Sequence, residues 1–166
     1  MELSTLEKLS KEAEKHRFWR RAGWAWGLIL LSVFVGDRVL NGARGAKQHQ
    51  ESLQEFQQLR SLPNATVVST SDSYSSWNSH RALVGATYRT ELPYGEIANF
   101  YDSELRSHGW KLASEKPMKD WGKDLGGSEL TYCKGAFAAT LQFAGTQANY
   151  GWTYAFDLTW GLNDCR

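Results

Sequence analysis

The side chains best suited to metal or nucleophilic chemistry in this 166-residue chain are four histidines and two cysteines. His16, His49, His80 and His108 are scattered along it. Glu104 and His108, four positions apart, could share a helix face, but two ligands fall short of the three or four that a zinc site takes. The simpler reading is a surface pair, with His108 near a helix end. Two cysteines are too few for a four-cysteine zinc site or iron–sulfur cluster. No G-x-S-x-G, H-E-x-x-H or P-loop pattern occurs. Asp102 and Glu104 are two apart on a helical stretch and do not face each other, and no other carboxylates form an acid/base couple. No catalytic residue, cofactor or metal is expected, and the chain reads as a non-enzyme.

What must position these residues begins with an apolar run. Residues 22–36, AGWAWGLILLSVFVG, contain no charge. A membrane-spanning helix wants about 20 apolar residues. Arg20 and Arg21 can snorkel outward, and Val39 and Leu40 continue the run past Asp37 and Arg38, so a span over 22–40 is expected. Phe18, Trp19, Trp24 and Trp26 stand at its front, where amphipathic rings favour the headgroups. A removed signal peptide competes on the length of the apolar run, but the 21-residue charged front argues for an uncleaved anchor. A core helix would not be apolar all round beside a separate globular domain. Six basic residues precede the charge-free run (Lys8, Lys11, Lys15, Arg17, Arg20, Arg21) and three follow it closely (Arg38, Arg44, Lys47). The positive-inside rule then places the N-terminus in the cytoplasm and residues 41–166 outside, which in a bacterium means the periplasm; the bacterial inner membrane is the expected location. Within the span, Gly23-x-x-x-Gly27 and Ser32-x-x-x-Gly36 put small residues four apart, which lets another transmembrane helix approach closely.

Cys133 and Cys165 both fall on the outer side. In an oxidising compartment they are expected to pair, closing a loop of about 32 residues and contributing on the order of 3–4 kcal/mol. That reading outweighs Cys133 as a nucleophile.

Residues 1–21 read as a short charged cytoplasmic helix with Leu3, Leu6 and Leu9 at threes. Residues 41–62 read as a polar helical stalk, with a thin apolar stripe at Leu53, Phe56 and Leu59. Pro63 marks the start of the folded domain, residues 63–166. A strand candidate at 66–70 comes first, then a strand at 81–90. Pro93 opens a helix bearing Ile97, Phe100, Tyr101 and Leu105 on one face, and Gly109 ends it. A strand at 110–116, a polar loop at 117–128 and two strands at 129–133 and 136–144 follow. The last strand, 152–160, alternates strictly: Trp152, Tyr154, Phe156, Leu158 and Trp160 point one way and Thr153, Ala155, Asp157 and Thr159 the other. The fold class is α+β: one antiparallel sheet of about five strands with one helix across its apolar face.

The run Tyr88-x-Thr90, followed by Phe100-Tyr101-x-x-x-Leu105-x-x-x-Gly109-Trp110, resembles a module found in small bacterial exported or membrane-anchored proteins of unknown function. The resemblance spans about half the outer domain and implies the fold but no activity, since its residues are packing and capping types.

Charge narrows the partners. The whole chain carries +1, and residues 63–166 carry nine Lys/Arg against eleven Asp/Glu, a net of −2, so nucleic acid is not expected. Membrane lipid and other transmembrane proteins are. Trp77 and Trp121 are candidate interaction residues, because the alternating strands already supply many core rings. The expected function is a non-catalytic single-pass subunit or accessory factor of a larger inner-membrane complex, its outer domain bracing a partner. The alternative is an extracytoplasmic binding or sensing module, holding a small apolar ligand or envelope component in a pocket lined by Tyr88, Phe100 and Trp152.

Overall fold

The computed structural model describes residues 32, 35, 42–75, 81–120, 122–146, 148–161 and 165. The chain divides into two compact units, Met1–Leu40 and Asn41–Arg166. The second holds helix α1 (residues 42–58), strands β1 (Thr66–Ser75) and β2 (Arg81–Arg89), helix α2 (Tyr94–Ser107), and strands β3 (Lys111–Asp120), β4 (Lys123–Lys134), β5 (Phe137–Phe143) and β6 (Tyr154–Trp160). The fold is α+β. Among the described residues the strands form one antiparallel sheet in the order β1-β2-β6-β5-β4-β3. After the β1–β2 hairpin, α2 carries the chain to the far edge, and β3 to β6 meander back until β6 closes beside β2.

The period-two patterns select one apolar face. Ala86 and Tyr88 from β2, Tyr154, Phe156 and Leu158 from β6, Ala139 and Leu141 from β5, and Leu130 and Tyr132 from β4 form its floor. Helix α2 lays Ile97, Tyr101 and Leu105 on it at i, i+4, i+8. Its end follows from Gly109, whose φ of 83° is cheap only for glycine. There the Gly109 amide donates to Arg106 O and the Trp110 amide to Leu105 O, the Schellman arrangement.

The segment expected as a polar stalk is a packed part of this unit, and the boundary expected at residue 63 lies at Asn41. Along α1 and the residue after it, Gly45, His49, Ser52, Phe56 and Leu59 recur at alternating steps of four and three, one stripe of a helix. Gly45 and Ser52 are buried and small, which brings the helix close to the sheet. The Ser52 hydroxyl donates to Gln48 O within the helix, so its burial leaves no orphan. Phe56 stacks on Phe156 at 5.9 Å between centroids, and Tyr101 of α2 stacks on Phe156 at 4.6 Å, so both helices meet over one ring. Leu59 and Leu62 continue into the core.

Two further expectations change. Among the described residues the sheet has six strands and two helices on its apolar face, where about five and one were expected. The expected polar loop at 117–128 belongs to the β3–β4 hairpin, in which Pro117 pairs with Ser128. Pro117 is tolerated because β3 is an edge strand, where a missing N–H on the outer side breaks no ladder bond.

The expected span at 22–40 and the charged segment at 1–21 lie outside the described residues, except that Ser32 and Val35 are helical and exposed. Among the described residues no helix is long and apolar enough to cross a membrane.

Candidate functional site

Two depressions on the helix-bearing face stand out among the described residues. The first lies between α1 and the β4–β5 turn, with a volume of about 320 Å3. Its α1 wall is Glu51, Gln54, Glu55 and Gln58, which the helical repeat brings to one side, and Trp110, Lys134 and Phe137 complete it. The Lys134 ammonium donates to both Glu55 carboxylate oxygens at 2.8 Å and sits 5.9 Å above the Trp110 ring. The Trp110 indole N–H is buried without a hydrogen-bond partner among the described residues. An orphaned buried donor costs about 1–3 kcal/mol, which a ligand or water acceptor would recover.

The second depression, about 350 Å3, runs between α2 and edge strand β3. Leu112, Leu130 and Tyr132 line it from the sheet, and Tyr94, Ala98, Asp102 and Arg106 from the helix. Leu112 is 39% exposed, a large apolar side chain left open to solvent. Arg106 donates from Nε to Asp102 at 2.8 and 2.9 Å, and the Tyr132 hydroxyl donates to Asp102 Oδ1 at 3.1 Å. The Arg106 bonds, and more weakly the Tyr132 bond, hold the Asp102 carboxyl below its ordinary range. Tyr94 donates to Glu115 Oε1 at 2.9 Å, and burial together with that carboxylate pushes its hydroxyl up to about 12. Burial and Asp102 also push the Tyr132 hydroxyl up.

Between α1 and α2 lies a carboxylate, Glu104, whose burial and partner the sequence spacing did not show. The Glu104 side chain is 1% exposed. It accepts from the Arg60 backbone N–H at 3.0 Å, Nε at 2.9 Å and Nη2 at 2.6 Å. The Arg60 bonds hold its carboxyl below the usual value. His108, four residues on, meets the Glu104 carbonyl through Nδ1 at 2.9 Å and its carboxylate at 3.8 Å; the contact is at the helix end, but the carboxylate is buried, so it is not the surface pair that was expected. His49 meets Asp72 of β1 through Nε2 at 2.6 Å and stacks on Tyr74, whose hydroxyl donates to Gly42 O at 2.9 Å.

The opposite face of the sheet is hydroxyl-rich and carries Asp157 at its centre, opposed by Gly85 and Thr140 on the neighbouring strands. Burial pushes its carboxyl up to about 6. The missing side chain at Gly85 makes its room, since a Cβ there would lie 1.9 Å from Asp157 Oδ1.

Cys133 and Cys165 are joined in a disulfide with a Cα–Cα distance of 5.4 Å, tying the C-terminal end to β4. Tyr88 stacks on Tyr154 at 4.8 Å, Phe100 makes an edge contact with Tyr101 at 5.2 Å, and Trp152 stacks on Tyr150 at 5.2 Å. Tyr88, Phe100 and Trp152 each have a ring neighbour, and the two described depressions are lined by other residues. Trp77, Trp121, Gly23, Gly27 and Gly36 lie outside the described residues, and Ser32 is helical and exposed. Among the described residues no three His, Cys, Asp or Glu side chains come together so that they could hold a metal ion. The Arg60–Glu104 contact and the first depression escaped sequence reading because both depend on α1 docking. The only signal for that docking was the 45-49-52-56-59 stripe, in which two of the five residues are small and one is a histidine.

Compared with known proteins, the chain matches no family model, no curated protein and no solved structure.

Proposed function

We propose that the chain is a non-catalytic single-pass membrane subunit or accessory factor, anchored through residues 22–40, whose outer domain braces a partner protein on the extracytoplasmic side of a bacterial inner membrane. The observation that carries this reading is the built-in α1. The folded unit starts at Asn41, directly after the expected span in sequence, and α1 is pinned within it by Glu55–Lys134, by His49–Asp72 and by the Phe56–Phe156 stack. A brace needs a fixed lever, not a free tether. The disulfide supports the oxidising compartment. The α2–β3 depression, with partly exposed Leu112 between the polar groups of Asp102, Arg106 and Glu115, is the surface on which the partner would sit.

The test is co-purification of the full tagged chain from gently solubilised membranes, beside Leu112→Glu. The reading expects a second protein at constant stoichiometry that Leu112→Glu reduces at least tenfold. The chain emerging alone would overturn it.

A second reading, an extracytoplasmic small-ligand module, is favoured by one observation: the first depression, with the orphaned Trp110 N–H among its lining residues. A small molecule that co-purifies with the lone chain, and is lost in Trp110→Phe, would support it.

A further inference from the structure

The two edges of the sheet are unlike. Edge strand β3 carries Lys111, Lys116, Pro117 and Lys119 and has register irregularities at Leu112/Ser114 and Met118/Lys119. Lysines, proline and bulges are the devices that stop an edge from pairing with another chain. Edge strand β1, TVVSTSDSYS, is ten residues long with no Lys, Arg or Pro, and its one charge, Asp72, is bound to His49 of α1. Val67 and Val68 are 52% and 46% exposed, and residues 69–73 are exposed as well. Among the described residues no strand pairs with its outer side.

We propose that β1 is a dimerisation edge, pairing antiparallel with β1 of a second copy to join two sheets into one. A second copy fits because a regular, nearly uncharged strand can match itself without opposing like charges. The register follows from the residues. Beyond the irregularity at Val67/Ser69 the strand is regular to Ser75. Opposed residues in an antiparallel ladder share a face, so the two numbers of each pair must sum to an even value. A ladder centred on Asp72 would set two carboxylates against each other, which is unfavourable. Centring on Ser71 places Ser71 opposite its copy, Thr70 opposite Asp72 as a hydroxyl donor to a carboxylate, and Ser69 opposite Ser73. This edge lies on the other side of the sheet from the α2–β3 depression, so dimerisation and partner bracing stand or fall separately.

Directly opposed Cβ atoms lie about 4.5–5.5 Å apart, close enough for an introduced disulfide after a small adjustment. The full chain in its membranes is therefore oxidised mildly as Ser71→Cys, Ser69→Cys and Ser73→Cys, and run without reductant. The expected result is a band of twice the chain mass with Ser71→Cys, at least tenfold weaker with either flanking variant alone, and restored when those two variants are co-expressed. Adding Ser69→Lys and Ser73→Lys to Ser71→Cys should abolish the band, with the retained Cys133–Cys165 bridge reporting that the domain still folds. No band at Ser71→Cys, equal bands at all three positions, or a product containing a different protein would overturn the proposal. Equal bands are what association through the Gly23/Gly27 face alone would give.

Discussion

Arg60 and Glu104 lie 44 positions apart in sequence, and three hydrogen bonds from the first to the second fasten the chain leaving α1 to helix α2. The relationship is unequal: the Arg60 side chain is 77% exposed while that of Glu104 is 1% exposed. The buried partner depends on the exposed one for its charge, so removing the arginine strands a carboxylate between α1 and α2.

Arg60→Ala is therefore expected to lower the melting temperature by several degrees, and Glu104→Gln to lower it less, because the amide oxygen still accepts from the Arg60 backbone N–H. The pair should be strongly non-additive in a double-mutant cycle followed by circular dichroism. The sign with pH is fixed. The Glu104 carboxyl titrates lower in the folded chain than its ordinary 4.5, so its contribution is present above that value and is lost as pH falls through the folded value. Arg60→Ala should flatten this acid limb.

Asp157 behaves in the opposite sense. Burial lifts its carboxyl from 3.8 to about 6, so between these values the folded chain holds a proton that the unfolded chain has lost. Stability attributable to this group then falls as pH rises from about 4 to about 6, by on the order of 1–3 kcal/mol. Asp157→Asn should stabilise the domain at pH 7 by that order and remove the slope in urea titrations at pH 4, 5, 6 and 7.

How much of this could be read before the structure differs by element. The alternation from Trp152 to Trp160 needs only a period of two, and the core side of Tyr154, Phe156 and Leu158 followed from it directly. Helix α2 was legible through Ile97, Tyr101, Leu105 and the obligatory glycine turn at Gly109. The far ends of β3 and β4 were not, because Pro117, Gly126 and Gly127 read as loop when only the edge position of β3 makes them acceptable in a hairpin. Helix α1 was legible as a helix but not as a packed one. Its contact stripe contains Gly45, His49 and Ser52, and composition alone cannot tell a small buried residue from a small exposed one. The Arg60–Glu104 contact was hidden for the same reason, since Arg60 lies just beyond that helix.

Two glycines make a matched test of the packing. Gly85→Ala would drive a Cβ against Asp157 and to 2.6 Å from the Phe156 carbonyl oxygen, so a loss of about 1–3 kcal/mol is expected. Gly95→Ala, in the first turn of α2, meets nothing within 4 Å and should be neutral or stabilising by up to about 1 kcal/mol. Urea midpoints of the two variants measured side by side would check both signs.

The disulfide joins residues 32 apart and fastens the C-terminal end to β4. Cys133→Ser with Cys165→Ser should cost about 3–4 kcal/mol, read as a lower urea midpoint, and reductant should lower the parent chain toward the same value.

The proposed function requires the folded unit, residues 41–166, to stand outside the membrane on an anchor at residues 22–40. Proteolysis of intact spheroplasts expressing the full chain with a C-terminal tag tests this most directly. The expected result is a chain that sediments with membranes and loses its tag to added protease while cytoplasmic proteins survive. A chain that stays in the soluble fraction, or a tag that is cut only after the spheroplasts are lysed, would contradict it.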